Sequence, residues 1–369
     1  VTVGSGLTAA GPIAIYGGQV DVQQALTASG DILIQAGGNN DALFGGAITN
    51  TSTSNASTTT IEAGRHVRLG ANATVSATQA AIDTQLWADT NADGDGIIYV
   101  ESASVGTNGG KLIFGKEGQT ADIAGSTVLV GGDTFFQRSA SAQSVTTGGG
   151  ALDIYGETIV ANTNGLTVDT TGSGSDGAVV LHGLLNSGNS YSFTSTTDNY
   201  PWTSARADAR GGTSGGSAVG DSYLVTITSR LENSIAGLTA DYQSSWIGAF
   251  RDKDNALGNG TNQWYWADGP EADVNFFTEN AGGPGGTPVD GSFEYFAPGQ
   301  PDDFSAIGEA YGQFYGEDGF WNDLGNTGTG TEPFTIKGYV VETNLAASPV
   351  TIDAGTGAVR LEKAVGDTK

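Results

Sequence analysis

Cysteine is absent from the 369-residue chain. Disulfides, thiolate metal sites and cysteine nucleophiles are excluded, while the redox compartment stays undecided because a secreted protein need not use disulfides. Histidine is nearly absent: His66 and His182 are the whole imidazole supply. Positive charge is scarce, with 14 Lys and Arg against 40 Asp and Glu, and the net charge of -26 repels phosphate backbones and anionic lipid while attracting cations. Neither nucleic acid nor a membrane is an expected partner. No apolar run reaches the roughly 20 residues of a membrane helix. No signal peptide is visible, so any targeting segment is expected outside the chain. Methionine is missing as well, and the chain opens Val1-Thr2-Val3 in a strand-like pattern, which reads as a piece of something longer.

What is abundant is glycine, at 59 positions, and the length exceeds the roughly 100–200 residues usual for one domain. From Val1 to about Leu185, short alternating apolar runs are each closed by Gly, Asn, Asp, Ser or Thr. Examples are Ile13-Ala14-Ile15-Tyr16, Asp31-Ile32-Leu33-Ile34, Lys111-Leu112-Ile113-Phe114 and Ala178-Val179-Val180-Leu181. Strands of four to six residues joined by turns produce this texture, as a β-solenoid or as stacked β-sheets. Internal similarity favours the solenoid, since Ile13-Ala14-Ile15-Tyr16-Gly17 returns loosely as Leu152-Asp153-Ile154-Tyr155-Gly156. A second echo crosses the chain. Thr60-Ile61-Glu62-Ala63-Gly64 with Val67-Arg68-Leu69 reappears as Thr351-Ile352-Asp353-Ala354-Gly355 with Val359-Arg360-Leu361, so a stalk pattern is expected to resume after an inserted domain. The expected division is 1–186 stalk, 187–344 inserted domain and 345–369 return to the stalk.

Within the stalk, Asp89, Asn91, Asp93 and Asp95 alternate around Gly94, an arrangement of oxygen ligands that can wrap a hard cation such as Ca2+. The other reading is a solvated acidic turn.

The stretch from Tyr191 to Glu342 is different in kind. It holds five of the six Trp and the only helix-like segments, Trp202 to Arg210 and a second beginning after Ser229. Glu232, three residues past Ser229, suits a capping box in which its carboxylate returns to the Ser229 amide. Then follow, in order, Trp246-Ile247-Gly248, Trp264-Tyr265-Trp266-Ala267-Asp268-Gly269, Gln300-Pro301-Asp302, Trp321-Asn322-Asp323 and Gly338-Tyr339-Val340-Val341-Glu342. The ordered set resembles the C-type lectin-like family, and the stalk resembles in texture the β-helical stalks of filamentous-haemagglutinin-like bacterial adhesins. The fold expected is a mainly β stalk plus an α+β C-type-lectin-like domain with two helices and long loops.

That resemblance implies a principal Ca2+ site at Gln300, Asp302, Glu309, Asn322 and Asp323, all oxygen-bearing, where two sugar hydroxyls complete the ion's coordination. It also implies a galactose-type preference from the Gln-Pro-Asp order, with Phe304 stacking on the sugar. Asp252, Asp254, Asn255 and Asp318 form a further acidic set, readable as an auxiliary Ca2+ site or as a solvated loop. The family's disulfides are absent here, so loop order has to come from aromatic packing, Ca2+ and the host stalk. The Trp residues themselves read as core.

The expected function is an extracellular or cell-surface module that binds glycans through Ca2+, with no catalysis. The alternative is a structural subunit of a filament or surface layer, stacking on its own copies through the stalk ends. With no His in 187–344, no nucleophile-and-base pair can be assembled there. A glycosidase-like pair of carboxylates stays open from sequence alone.

Overall fold

A computed structural model describes residues 1–369 apart from 102, 124–125, 130, 138–141, 255, 259, 282, 305–307, 317, 329–333, 364 and 367–369. For 121–123 and 126–129 only the backbone is described. The chain forms two compact units, Val1–Gly188 with Ala347–Lys369, and Asn189–Ala346.

In the first unit the short runs read from the sequence become strands that pair in parallel, each with the strand one turn later. Among the described residues they build sheets of nine, eight and eight strands, so each turn of the coil lays one strand on each sheet. One column of partners runs Val3, Val22, Phe44, Leu69, Val100, Phe136, Val160 and Ser187. Alternation decides the inside. In Ile32–Ala36, Ile32, Ile34 and Ala36 are buried while Leu33 and Gln35 are half-buried, and the same pattern repeats along the coil. Each fully buried Val, Leu or Ile adds roughly 1.5–3 kcal/mol over an exposed one. The turns recur as a ladder: the hydroxyls of Thr107, Thr147 and Thr170 donate to the carbonyls of Gly110, Gly150 and Gly177. At Gly150 and Gly177 a Cβ would lie 1.8 Å from the carbonyl oxygen of the turn below, so only glycine lets the turns stack.

The two internal echoes fare differently. Ile13–Gly17 and Leu152–Ile154 lie on one sheet, as equivalent positions of different turns. Thr60-Ile61 and Thr351-Ile352 lie on different sheets, those of Thr58–Ala63 and Val350–Asp353. Every face imposes the same alternation closed by a tight turn, so segments on different faces converge in sequence. The stalk does resume, because Val350–Asp353, Val359–Leu361 and Val365–Gly366 pair with Leu166–Asp169, Val179–Leu181 and Leu185–Ser187. The departing and returning chain are neighbours: the Ser348 amide donates to the Ser187 hydroxyl at 3.0 Å.

The second unit closes in the same way, Ser190–Ser195 pairing antiparallel with Gly338–Thr343. Its sheet continues through Ser245–Arg251, Gln263–Trp266, Asn275–Glu279 and Gly286–Pro288, with Tyr311–Tyr315 and Phe320–Leu324 added beside Ser245–Arg251. Helix α1 (Trp202–Ala209) buries Trp202, Ala205 and Ala209 against Leu224, Trp246 and Tyr339. Arg206 of α1 and Arg210 at its C-terminal cap both hold the buried carboxylate of Asp268, which gives the Trp-x-Trp-x-Asp-Gly acid a structural task. Helix α2 (Arg230–Thr239) starts at Ser229, whose hydroxyl accepts the Glu232 amide at 3.1 Å. In its other half the Glu232 carboxylate takes the Thr228 amide and hydroxyl as well as the expected Ser229 amide. Trp246, Trp264, Trp266 and Trp321 are all fully buried core. No helix among the described residues is long and apolar enough to cross a membrane.

Candidate functional site

Asn322 and Asp323 lie on the strand Phe320–Leu324, locked in register by antiparallel pairs with Gln313 and Gly312. The strand is anchored from beneath by Trp321, whose indole donates to Asn233 of α2 at 2.8 Å. Opposite it runs the loop that carries Gln300, Pro301 and Asp302. The Gln300–Pro301 peptide is cis, and both flanking side chains line the same cavity. That cavity, about 370 Å³, is bounded by Gln300, Asp302, Phe304, Glu309, Asn322, Leu324 and Phe334. The backbone of the loop is tied to Asp323: the amides of Asp302 and Asp303 donate to its two carboxylate oxygens at 3.0 and 2.9 Å. Glu309 is tied likewise, receiving the Phe304 amide at 2.8 Å.

Carboxylate oxygens of Asp302, Glu309 and Asp323 all lie within 4.8 Å of one another. Among the described residues no Lys or Arg pairs with any of the three. Burial, with the charges of Asp323, Asp302 and Asp303 added, pushes Glu309 up to about 7. Burial pushes Asp323 up to about 6, even though the Asp303 and Asp302 amides favour its ionised form. The side-chain oxygen of Gln300 is buried with no hydrogen-bond partner. Three crowded carboxylates, an unpartnered amide oxygen and the neighbouring Asn322 make an all-oxygen donor set that fits a hard divalent cation. At the rim, Phe304 is 87% exposed, an aromatic ring left in solvent beside a polar pocket.

The other two acidic sets do not gather three carboxylates in this way among the described residues. In the stalk, the buried Asp89 carboxylate accepts the Asp93 and Gly94 amides at 3.0 and 3.1 Å, Asn91 bonds Asp93, and Asp93 accepts the Asp95 amide. Burial and the Asp93 charge push Asp89 up to about 7. The alternating acids stitch their own turn, with Asp89 and Ala92 in the left-handed region. In the second set, Asp252 accepts the amides of Ala256 and Leu257, Asp254 and Asp318 are exposed, and Asn255 lies outside the described residues. Sequence reasoning missed Arg251 and Asp303. Arg251 lies buried between Glu279 and Asp303, 2.7 Å from each, and the Lys253 ammonium reaches Asp303 at 3.2 Å.

No protein-family model and no curated protein matches the chain. Solved structures similar to it are C-type lectin carbohydrate-recognition domains. The carbohydrate-recognition domain of cow CD23, crystallised with a GlcNAc2Man3 oligosaccharide, is 19% identical over 43% of this chain and 88% of its own, with a TM-score of 0.27. That of the mouse scavenger receptor C-type lectin is 20% identical over 43% and 92%, also at 0.27, and an EPNH mutant of CEL-I is 19% identical over 43% and 91%, at 0.26.

Proposed function

We propose that the unit Asn189–Ala346 is a Ca2+-dependent glycan-binding domain, displayed outside the cell on the β-coil that carries it. The observation that supports this most is the convergence of the Asp302, Glu309 and Asp323 carboxylates, within 4.8 Å of one another, two of them lining a cavity that the exposed Phe304 also lines. Gln300, Asp302, Glu309, Asn322 and Asp323 would hold the ion. A Ca2+ ion there supplies open coordination positions that a vicinal pair of sugar hydroxyls can take. The chain's own residues do the rest: amide and carboxylate groups around the ion accept or donate hydrogen bonds to the same hydroxyls, and the ring of Phe304 offers an apolar face to the sugar's C–H surface. The Gln-Pro-Asp order and this ring favour a galactose-type sugar. Nothing in the reading calls for a catalytic step, and weak single-site affinity raised by multivalent display suits it.

Calorimetry with Ca2+, followed by a glycan array with and without chelator, tests the proposal. Binding of galactosides that chelator abolishes is the expected result. Asp323→Asn should weaken Ca2+ by more than the ~10–100-fold typical of changes beyond the metal's own ligands. Wild-type protein that takes up no Ca2+ at millimolar concentration would refute the site, and chelator-insensitive glycan capture would refute its role.

A further inference from the structure

Asp302, Asp303, Phe304, Gly308 and Glu309 belong to no strand or helix, and no disulfide restrains them. Asp303 is their node. Its amide donates to Asp323, and its carboxylate accepts the Glu309 amide at 2.7 Å while facing the Arg251 guanidinium at 2.7 Å and the Lys253 ammonium at 3.2 Å. Arg251 is itself fixed, since one of its nitrogens reaches both carboxylate oxygens of buried Glu279 at 2.7 Å, and Glu279 also accepts the Trp264 indole. The chain makes room for this arrangement: a Cβ on Gly308 would lie 2.0 Å from the Lys253 nitrogen, and φ of Gly308 is +73°. Asp303 is also left-handed, at +47°.

We infer that Arg251 and Lys253 act as built-in cations that hold Asp303, and through it Asp302, Phe304 and Glu309, in their ion-binding arrangement before any ion arrives. Arg251 is then a positioning residue. The inference rests on the Ca2+ reading only for what the loop is for; the ion network is independent of it.

Hydrogen exchange of the full chain in chelator reads the loop directly, because the amides of Asp302 and Asp303 donate to Asp323 on the facing strand, that of Phe304 to Glu309 and that of Glu309 to Asp303. Two variants separate geometry from charge. Asp303→Asn removes the node's charge, whereas Arg251→Met combined with Glu279→Gln leaves net charge unchanged and strands no buried ion. Both should speed exchange of those four amides at least tenfold and leave Ser245–Arg251 as protected as in the wild type. Both should also weaken Ca2+ about tenfold, with one ion bound near the loop. Unchanged exchange in either variant, or loosening spread through the Ser245–Arg251 strand, would overturn the inference, as would faster exchange with undiminished Ca2+ affinity. Wild-type protein that binds no Ca2+ at all would sink the glycan-binding proposal instead, since the exchange result is obtained without the ion.

Discussion

The residues that matter most are carboxylates held where water cannot solvate them. Besides those of the cavity, Glu342 is buried and accepts hydrogen bonds from Asn189 and the Thr226 amide. Burial, then the charge of Glu232 and that of Glu271, push it up to about 8 against those bonds. The folded state therefore keeps a proton that the unfolded chain releases near 4.5, and stability falls as pH rises from there through about 8. Glu342→Gln should remove much of that slope, raising stability at pH 9 by roughly 1–3 kcal/mol over wild type with little change at pH 5. Urea unfolding in chelator at the two pH values measures it, and equal slopes would show that Glu342 is not the group responsible. Phe304 separates the two parts of the proposed site. Phe304→Ala should leave Ca2+ affinity within about twofold yet weaken galactoside binding about three- to tenfold, the loss of one aromatic contact, in paired calorimetric titrations.

Among elements, α2 shows what was legible. Ser229 stands out as an N-cap because its hydroxyl satisfies an orphan amide, and Ser229→Ala should cost about 1 kcal/mol. That corresponds to a Tm roughly 2–4 °C lower in a thermal melt of a domain this size. The Thr228 contacts of Glu232 were not legible, because Thr228 and Ser229 both offer amides within reach of one carboxylate. Gln300, Asp302, Glu309, Asn322 and Asp323 could be singled out because the motifs Gln300-Pro301-Asp302 and Asn322-Asp323 carry the family resemblance, which also implies Glu309. Asp303 could not, since its partners Arg251 and Lys253 come from another part of the chain and nothing local marks them. The acidic runs at Asp89 and Asp252 stayed open between two readings for the converse reason. Alternating or clustered acids serve backbone turns as readily as metals, and there the nearest donors were amides of the next few residues.

On the scale of the whole molecule, one compact unit interrupts another, and each closes on itself at the junction. Ser187 and Ser348 are hydrogen-bonded on the stalk side, while Ser190 pairs with Thr343 on the domain side. Closing so short a gap costs little loop entropy. Asn189–Ala346 expressed alone should therefore fold cooperatively with Trp fluorescence like that of the full chain. The stalk with that segment replaced by a short Gly-Ser linker should keep its β circular dichroism and a single melting transition. An excised domain that stays unfolded, or a stalk that aggregates without it, would show that the units depend on each other.

The sequence by itself determined the strand-and-turn texture and the change to an aromatic-cored domain and its return, because each is written in neighbouring residues whose spacing matches a local geometry. Only the tertiary structure decided which acids share a cavity and which cap a turn, and on which sheet each repeat-like segment falls. Only it showed that arginine and lysine hold the loop, since those outcomes depend on distances between residues far apart in the chain.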